Sequence, residues 1–353
     1  MQKSILLFVL ILALILSGCK KAAPQFFFGD RDSGRGELQS VTKDGLLGTA
    51  ITISTYDDIS DDLFSQCFET ISALEARMSV NMSIDRAESE ISLLNDNAGS
   101  AFSVADDIYD LLKLSVYFSE ITAGAFDISI GPVMELWKED GHFAILPSRA
   151  DINQKLNYVG YEQISFPDKK MVYLGENMKI DLGAIAKGQA LSLVRDILLG
   201  NGVRNALLDF GGDIYAAGQK PDGSNWRIAI KTPLAGDNSL VCLVEVADLC
   251  VMTSGGYERY FEQGGIKYHH ILDPATGYPA DSGLLSVTVV SPDPVWADAL
   301  STAGFVMGME KGLKMINGLA GYEAIFITTE KEIYVTDGLR EVITILHPDY
   351  SLR

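Results

Sequence analysis

The sequence predicts an α+β fold, with helices and strands mixed along one chain and no regular strand–helix–strand alternation of the kind that builds a doubly wound parallel sheet. Two observations carry that expectation. Apolar residues recur at helical spacing in four separate stretches, and short apolar or alternating strands follow one another in runs between them. A chain of 353 residues is long enough to bury one large core or two small ones, and its composition is ordinary for a globular protein.

The elements follow in order. Residues 1–18, "MQKSILLFVLILALILSG", place one lysine before an apolar run from Ile5 to Leu16. That run is short for a membrane-spanning helix and suits an export signal. Leu16-Ser17-Gly18-Cys19 is similar to a bacterial lipobox, in which cleavage leaves a lipid-modified cysteine at the new N-terminus; a plain signal peptide or an uncleaved anchor is the other reading. On the lipobox reading, acyl chains on Cys19 hold the mature protein at a membrane, outside the cytoplasm. Residues 19–45 are polar, with Gly, Asp and Arg prominent, and are expected to be a flexible tether ahead of a single domain over 46–345.

Next, "TAITISTY" (49–56) alternates and predicts a strand. From Asp61 to Met78, Leu63, Phe64, Cys67, Phe68, Ile71, Leu74 and Met78 recur at helical spacing, with Asp61 and Asp62 at the favourable N-terminal end. A second helix is expected over Asp106–Ile121, with Ile108, Leu111, Leu112, Ser115 and Phe118 on one face. "KIDLGAIAKGQALSLVRDILLGNG" (179–202) reads as a strand, a turn at Gly183, then a helix stopped by Gly200-Asn201-Gly202. Strands follow at "NALLDFGGDIYAAG", "WRIAIKT", "LVCLVEVAD" and "LLSVTVVSP". Gly211-Gly212 inside the first of them marks a bulge or a close backbone approach. The last clear helix starts near Asp293 as N-cap and Pro294 as first helical residue.

Charge narrows the function. The net charge is −19, and −20 from Cys19 onward because Lys3 is the only charge before it. So acidic a chain is unsuited to nucleic acid or to a polybasic membrane-surface mode. A polyanionic small ligand would need a metal ion or backbone N–H groups. With Cys19 lipidated, Cys67, Cys242 and Cys250 remain. An odd set that small is no disulfide framework, and no spacing suggests zinc. Cys242 and Cys250 are either bridged across a hairpin or buried as thiols.

Several stretches can carry chemistry. Asp298 and Thr302, four apart on the last helix, point from one face, and a carboxylate with a hydroxyl suits Mg²⁺; solvated or capping roles are the alternative. In "DLGAIAKG" (181–188) a loop feeds a helix N-terminus, whose N–H groups favour phosphate oxygens, and Lys187 adds a positive charge. A plain strand–helix junction with a surface lysine is the other reading. No Walker pattern is present. "TSGGYERYF" (253–261) sets Ser254 and two glycines in a loop that can approach a ligand closely. Two of the four histidines, His269 and His270, sit together in "KYHHILDPATGYP" (267–279). Strand geometry turns them to opposite sides, so one can serve a given site, either as a neutral base or as a structural group. The turn from Asp273, Pro274, Gly277 and Pro279 fixes the strand end.

Taken in order, "SEISLLN", "AGAFDISIGPVMELW", "DLGAIAKG", "DFGGDIY", "TSGGYERYF", "HHILDPATGYP" and "SVTVVSPDPVWADALSTAGF" resemble the ApbE family of FAD:protein FMN transferases over about residues 46–340. The resemblance implies a T-fold-like α+β domain that binds FAD with Mg²⁺, splits its pyrophosphate and transfers FMN to a threonine hydroxyl of a target protein, with AMP leaving. Targets of such enzymes are typically membrane-associated redox flavoproteins outside the cytoplasm. By the same resemblance Asp298, Thr302 and the Ala184 carbonyl match metal ligands. Asp181, Lys187, Ala125, Phe126, Asp127, Ser254 and Ile271 match FAD contacts, and His270 is the expected base. Two positions depart from the family pattern: Leu47 stands where methionine is usual, and Asn81 stands where an aromatic residue is usual, before a longer "MSIDRAE" insert. A lost stacking ring, worth about 1 kcal/mol, would favour hydrolysis of FAD to FMN and AMP alongside or instead of transfer. A non-catalytic FAD-binding lipoprotein is the third reading, and the intact metal-site residues speak against it.

Overall fold

The computed structural model describes residues 37–80, 89–139, 141–234 and 236–353; the leader, Cys19 and Asn81 lie outside the described residues. Its central layer is a nine-stranded sheet in the spatial order Gln39–Leu46, Thr49–Thr55, Ala206–Phe210, Ile214–Ala217, Leu249–Gly255, Leu284–Ser291, Glu323–Thr328, Glu332–Val335 and Ser351–Leu352. Neighbours pair antiparallel except the last two. The first and last strands therefore lie at opposite edges of the sheet, and Thr49–Thr55 pairs with Ala206–Phe210 from the middle of the chain.

The continuous apolar runs have a simple cause: this sheet is covered on both faces. Leu208, Met252, Val289 and Phe326 join a core built with the helices. Their chain neighbours Leu207, Val251, Val290 and Ile325 point the other way, onto Trp226, Ile228, Val241 and Val244 of a smaller sheet formed by Trp226–Lys231, Leu240–Val246 and Thr344–Ile345. Strand alternation thus sorts one apolar run into two cores.

The helices Asp61–Met78 and Asp106–Ile121 have the predicted bounds and bury the predicted face, and Ser60 caps the first by accepting from Leu63 N. In the second, buried Ser115 donates to the Leu111 carbonyl at 2.8 Å, which explains a polar residue on an apolar face. The helices Ala186–Gly200 and Pro294–Met307 also form, the latter with Asp293 as N-cap. Among the described residues no helix is long and apolar enough to cross a membrane.

Other expectations need correction. The sheet begins at Gln39, inside the stretch expected as tether, and Ser351–Leu352 carries it past residue 345. Residues 179–182 form no strand. Lys179 makes one isolated bridge to Ile130, because Asn95 takes the Ile180 N–H at 2.8 Å and the Ile180 carbonyl at 3.0 Å. Gly211 and Gly212, with φ of 73° and 102°, lie in the reversal between two paired strands and not inside one. A further helix, Met309–Asn317, follows the expected last one after Gly308 at φ 80°. Cys242 and Cys250 sit in different sheets as buried free thiols, so the bridged reading does not hold.

Candidate active site

Two chain reversals meet at one end of the large sheet. Leu46 pairs with Thr49, so Leu47-Gly48 is a two-residue hairpin turn, with φ of 50° and 70°. Such turns favour Asn or Gly, and a leucine held there is strained. Ile51 pairs with Phe210, which brings this turn against the 211–213 reversal. A Cβ on Gly211 would run into the Thr49 side chain, so close backbone approach accounts for that glycine.

Asp213 leaves this reversal with only 3% exposure. Its Oδ2 forms an ion pair with Lys187 Nζ, and its Oδ1 accepts from Thr253 N at 2.9 Å. Lys187 lies in the first turn of the 186–200 helix and is not a free surface lysine. Burial opposes its charge, but Asp213 and Asp298 outweigh that and hold its pKa above the ordinary lysine value. The next residue, Gly188, donates its N–H to Asp298 Oδ2 at 2.7 Å. Gly188 is the third residue of a helix capped by Ile185, so its N–H is one of the N-terminal donors that the helix itself leaves without an acceptor. Asp298 supplies that acceptor from the neighbouring helix.

Asp298 is 5% exposed, and burial pushes its pKa up to about 7; the Lys187 charge opposes this and Asp213 adds to it. Thr302, one turn on, is within 3.0 Å of Ser254 Oγ, which also reaches Ser301 Oγ at 2.9 Å. Among the described residues no group of three or more His, Cys, Asp or Glu is gathered for a metal. The donors here are instead the Asp298 carboxylate and the Thr302 hydroxyl, with the Ala184 carbonyl just ahead of the 186–200 helix as the third candidate. All are hard oxygens, and that set fits a Mg²⁺ ion that completes its shell with water or phosphate.

His270 follows the Ile266–His269 strand. Its backbone N and its Nδ1 both approach the Arg259 carbonyl at 3.1 Å. A carbonyl only accepts, so Nδ1 carries the proton and the Nε2 lone pair is the basic site. Burial, with Arg259 and Lys187 nearby, lowers its pKa to about 4, and the ring is neutral at physiological pH. His269 faces elsewhere: its Nε2 donates to the Ala280 carbonyl at 3.2 Å and its ring meets Phe305 edge-on. The turn beyond is rigid, since Gly277 N bonds the Asp273 carbonyl and Trp137 Nε1 donates to Gly277 O at 3.0 Å. Arg259 also reaches back to the first reversal, its Nη2 lying 3.0 Å from where a Gly48 Cβ would be.

The remaining predicted contacts are more structural in their present partners. Asp181 pairs with Lys138 at 3.3 Å and accepts from Gly183 N at 2.8 Å. Asp127 accepts from the Ser129 N–H and hydroxyl and from Tyr161 N, and burial raises its pKa. Phe126 is buried edge-on against Phe118, Ala125 begins that same block, and Ile271 is buried with its carbonyl bonded to Ala280 N. Sequence reasoning missed Asp213 and Arg259. It also missed Asp209, which is 2% exposed, accepts from Gly212 N at 2.7 Å and is pushed by burial to about 6. The available signal was two carboxylates flanking a glycine pair in an apolar run.

Gly188 gives a stability prediction. A Cβ there would lie 2.9 Å from Asp298 Cβ and press on the Pro294 carbonyl. Gly188→Ala is expected to cost about 1–3 kcal/mol through overpacking, read as a lower denaturant midpoint; an unchanged midpoint would refute the tight helix contact.

The comparisons agree with this architecture. The profile of the ApbE family matches residues 47–326. A FAD:protein FMN transferase of Klebsiella pneumoniae (strain 342) is 34% identical over 310 residues, covering 87% of this chain and 95% of that one. Its counterpart in Treponema pallidum (strain Nichols) is 31% identical over 336 residues, covering 90% and 93%. The crystal structure of the ApbE protein of Thermotoga maritima superposes with a TM-score of 0.79 at 32% identity, covering 87% of this chain and 99% of that one. The apo flavinyl transferase ApbE of Pseudomonas stutzeri gives 0.77 at 30% identity, covering 88% and 98%. With matches of that extent in sequence and in structure, the chain belongs to the ApbE family.

Proposed function

We propose that this protein is a Mg²⁺-dependent FAD:protein FMN transferase that moves FMN from FAD to a threonine hydroxyl of an acceptor protein and releases AMP. The observation that carries the reading is the network at one sheet end in which Lys187, Asp213, Asp298, Thr302 and Ser254 are joined, beside a neutral His270. Phosphoryl transfer asks a protein mainly for positioning and for neutralising phosphate charge. Asp298, Thr302 and the Ala184 carbonyl would hold Mg²⁺, which when bound neutralises pyrophosphate oxygens. His270 Nε2 is suited to take the proton of the attacking hydroxyl. The new bond joins that oxygen to the FMN phosphorus, and the bond from that phosphorus to the AMP oxygen breaks. Leu47, Ala125, Phe126, Asp127, Asp181 and Ile271 would line the flavin nucleotide. The lipobox supports anchoring through Cys19 on the extracytoplasmic side of a membrane, where the acceptor flavoprotein would also lie.

The test incubates the protein with FAD and Mg²⁺, with and without a threonine-containing acceptor domain, following nucleotides by chromatography and the acceptor by mass. A mass gain of one FMN with AMP released in step is expected. No Mg²⁺-dependent loss of FAD would overturn the reading. Asn81, where the family has an aromatic residue, favours a second activity, hydrolysis of FAD to FMN and AMP with water as acceptor. Asn81→Tyr is expected to slow that hydrolysis. If the variant turns FAD over in water as fast as the parent does, Asn81 has no part in it.

A further inference from the structure

We propose that Asp213 is a positioning residue that holds the Lys187 ammonium off Asp298, so that Asp298 stays available to a divalent cation. The inference rests on the cation-dependent reading above. Lys187 and Gly188 are adjacent in one helical turn, and Gly188 N is bonded to Asp298 Oδ2 at 2.7 Å. The lysine thus stems from a backbone already docked on the Asp298 carboxylate. An ammonium on a flexible four-carbon stem beside a buried carboxylate would ordinarily fold onto it and form a charge-assisted pair. A cation would then have to displace the lysine before it could bind.

Here the ammonium goes to Asp213 instead. Asp213 is well placed to hold it, because it cannot follow the lysine if the lysine swings away. Its second oxygen is fixed by Thr253 N at 2.9 Å, on the strand that carries Ser254. Its backbone leaves the Gly211-Gly212 reversal, which Asp209 secures from the far side through Gly212 N at 2.7 Å. One carboxylate is therefore anchored on the sheet and keeps the lysine, while the other, on the 294–307 helix, keeps only a neutral N–H among these contacts. Lys187 remains beside the cation position with its charge held in a fixed place, where it can meet an anionic ligand.

A simple staple between helix and sheet would look similar but behave differently. Breaking a staple weakens the site, and removing its second half does not repair it. Under the positioning role, Lys187 becomes the damaging group once Asp213 is gone, because it turns to Asp298.

The experiment measures Mn²⁺ binding to the full-length protein without FAD, from the paramagnetic resonance signal of free Mn²⁺. Asp213→Asn is expected to weaken Mn²⁺ at least about tenfold. Adding Lys187→Met to that variant should restore binding to near the parent value, and Asp213→Glu, which keeps the charge, should stay close to the parent. Equal binding by parent and Asp213→Asn, or a loss that Lys187→Met fails to repair, would overturn the inference alone. A parent that binds no Mn²⁺ would overturn the cation reading beneath it. Should Asp213→Asn not fold, Lys187→Met by itself decides. It must bind Mn²⁺ at least as tightly as the parent, and weaker binding sinks the proposal.

Discussion

Replacing His270 with Asn lowers the rate of FMN transfer by about two to four orders of magnitude, the usual yield of a positioned general base. The loss is expected on kcat more than on KM, because in the proposed role the Nε2 lone pair takes the hydroxyl proton and does not hold the flavin. His269→Asn serves as the comparison, since its ring is tied to the Ala280 carbonyl and Phe305 and faces away from the Arg259 carbonyl. A transfer rate in His270→Asn equal to the parent's would remove the base from the mechanism. The pH profile adds a second readout. His270 is neutral above a pKa of about 4 and protonated below it, so its share of the activity is present at neutral pH and is lost as pH falls through about 4. A histidine of ordinary pKa would put that limb near 6.5. An acid limb at the ordinary position, absent in His270→Asn, would contradict the half-buried, cation-flanked setting of the ring.

Asp298→Asn should be nearly as damaging, for a different reason. The amide oxygen can still accept the Gly188 N–H, so the helix stays docked. The negative charge is gone, and with it the one carboxylate among the proposed cation donors. Losing several kcal/mol of charge stabilisation corresponds to a fall in rate of about two to three orders of magnitude. Because a buried carboxylate carries a desolvation cost that an amide avoids, the denaturation midpoint without cation should hold or rise. Activity and stability thus move in opposite directions. A variant that keeps its Mn²⁺ affinity and its transfer rate would show that Asp298 is only a helix cap.

Much of this was legible in the sequence where one physical rule acted alone. The apolar face of Asp61–Met78 and the Asp293-Pro294 helix start are local signals, and both appear with the predicted bounds. The misses fall where distant partners override a local pattern. "KIDL" has the character of a strand, yet Asn95, 85 residues away, takes both polar groups of Ile180. "DFGGDIY" reads as one strand until pairing across 206–217 makes its glycines a reversal. Lys187 was visible as a charge beside a helix start, but its partner was not, because Asp213 meets it through tertiary packing 26 residues later. The Arg259 carbonyl was beyond sequence reasoning for another reason. A backbone acceptor has no residue-type signature.

The sheet that supports the site also sets when the site can exist. Gly188 meets Asp298 across 110 residues of chain, and the turn at Leu47 finds its place only against residues beyond 205. Contacts of such long sequence separation form late and slowly, since loop closure precedes any return in packing. A chain emerging N-terminus first would have its Lys187 long before its Asp298. No truncated or half-emerged product can assemble the centre, and a chain that crosses a membrane unfolded would acquire activity only after its last helices have followed it across.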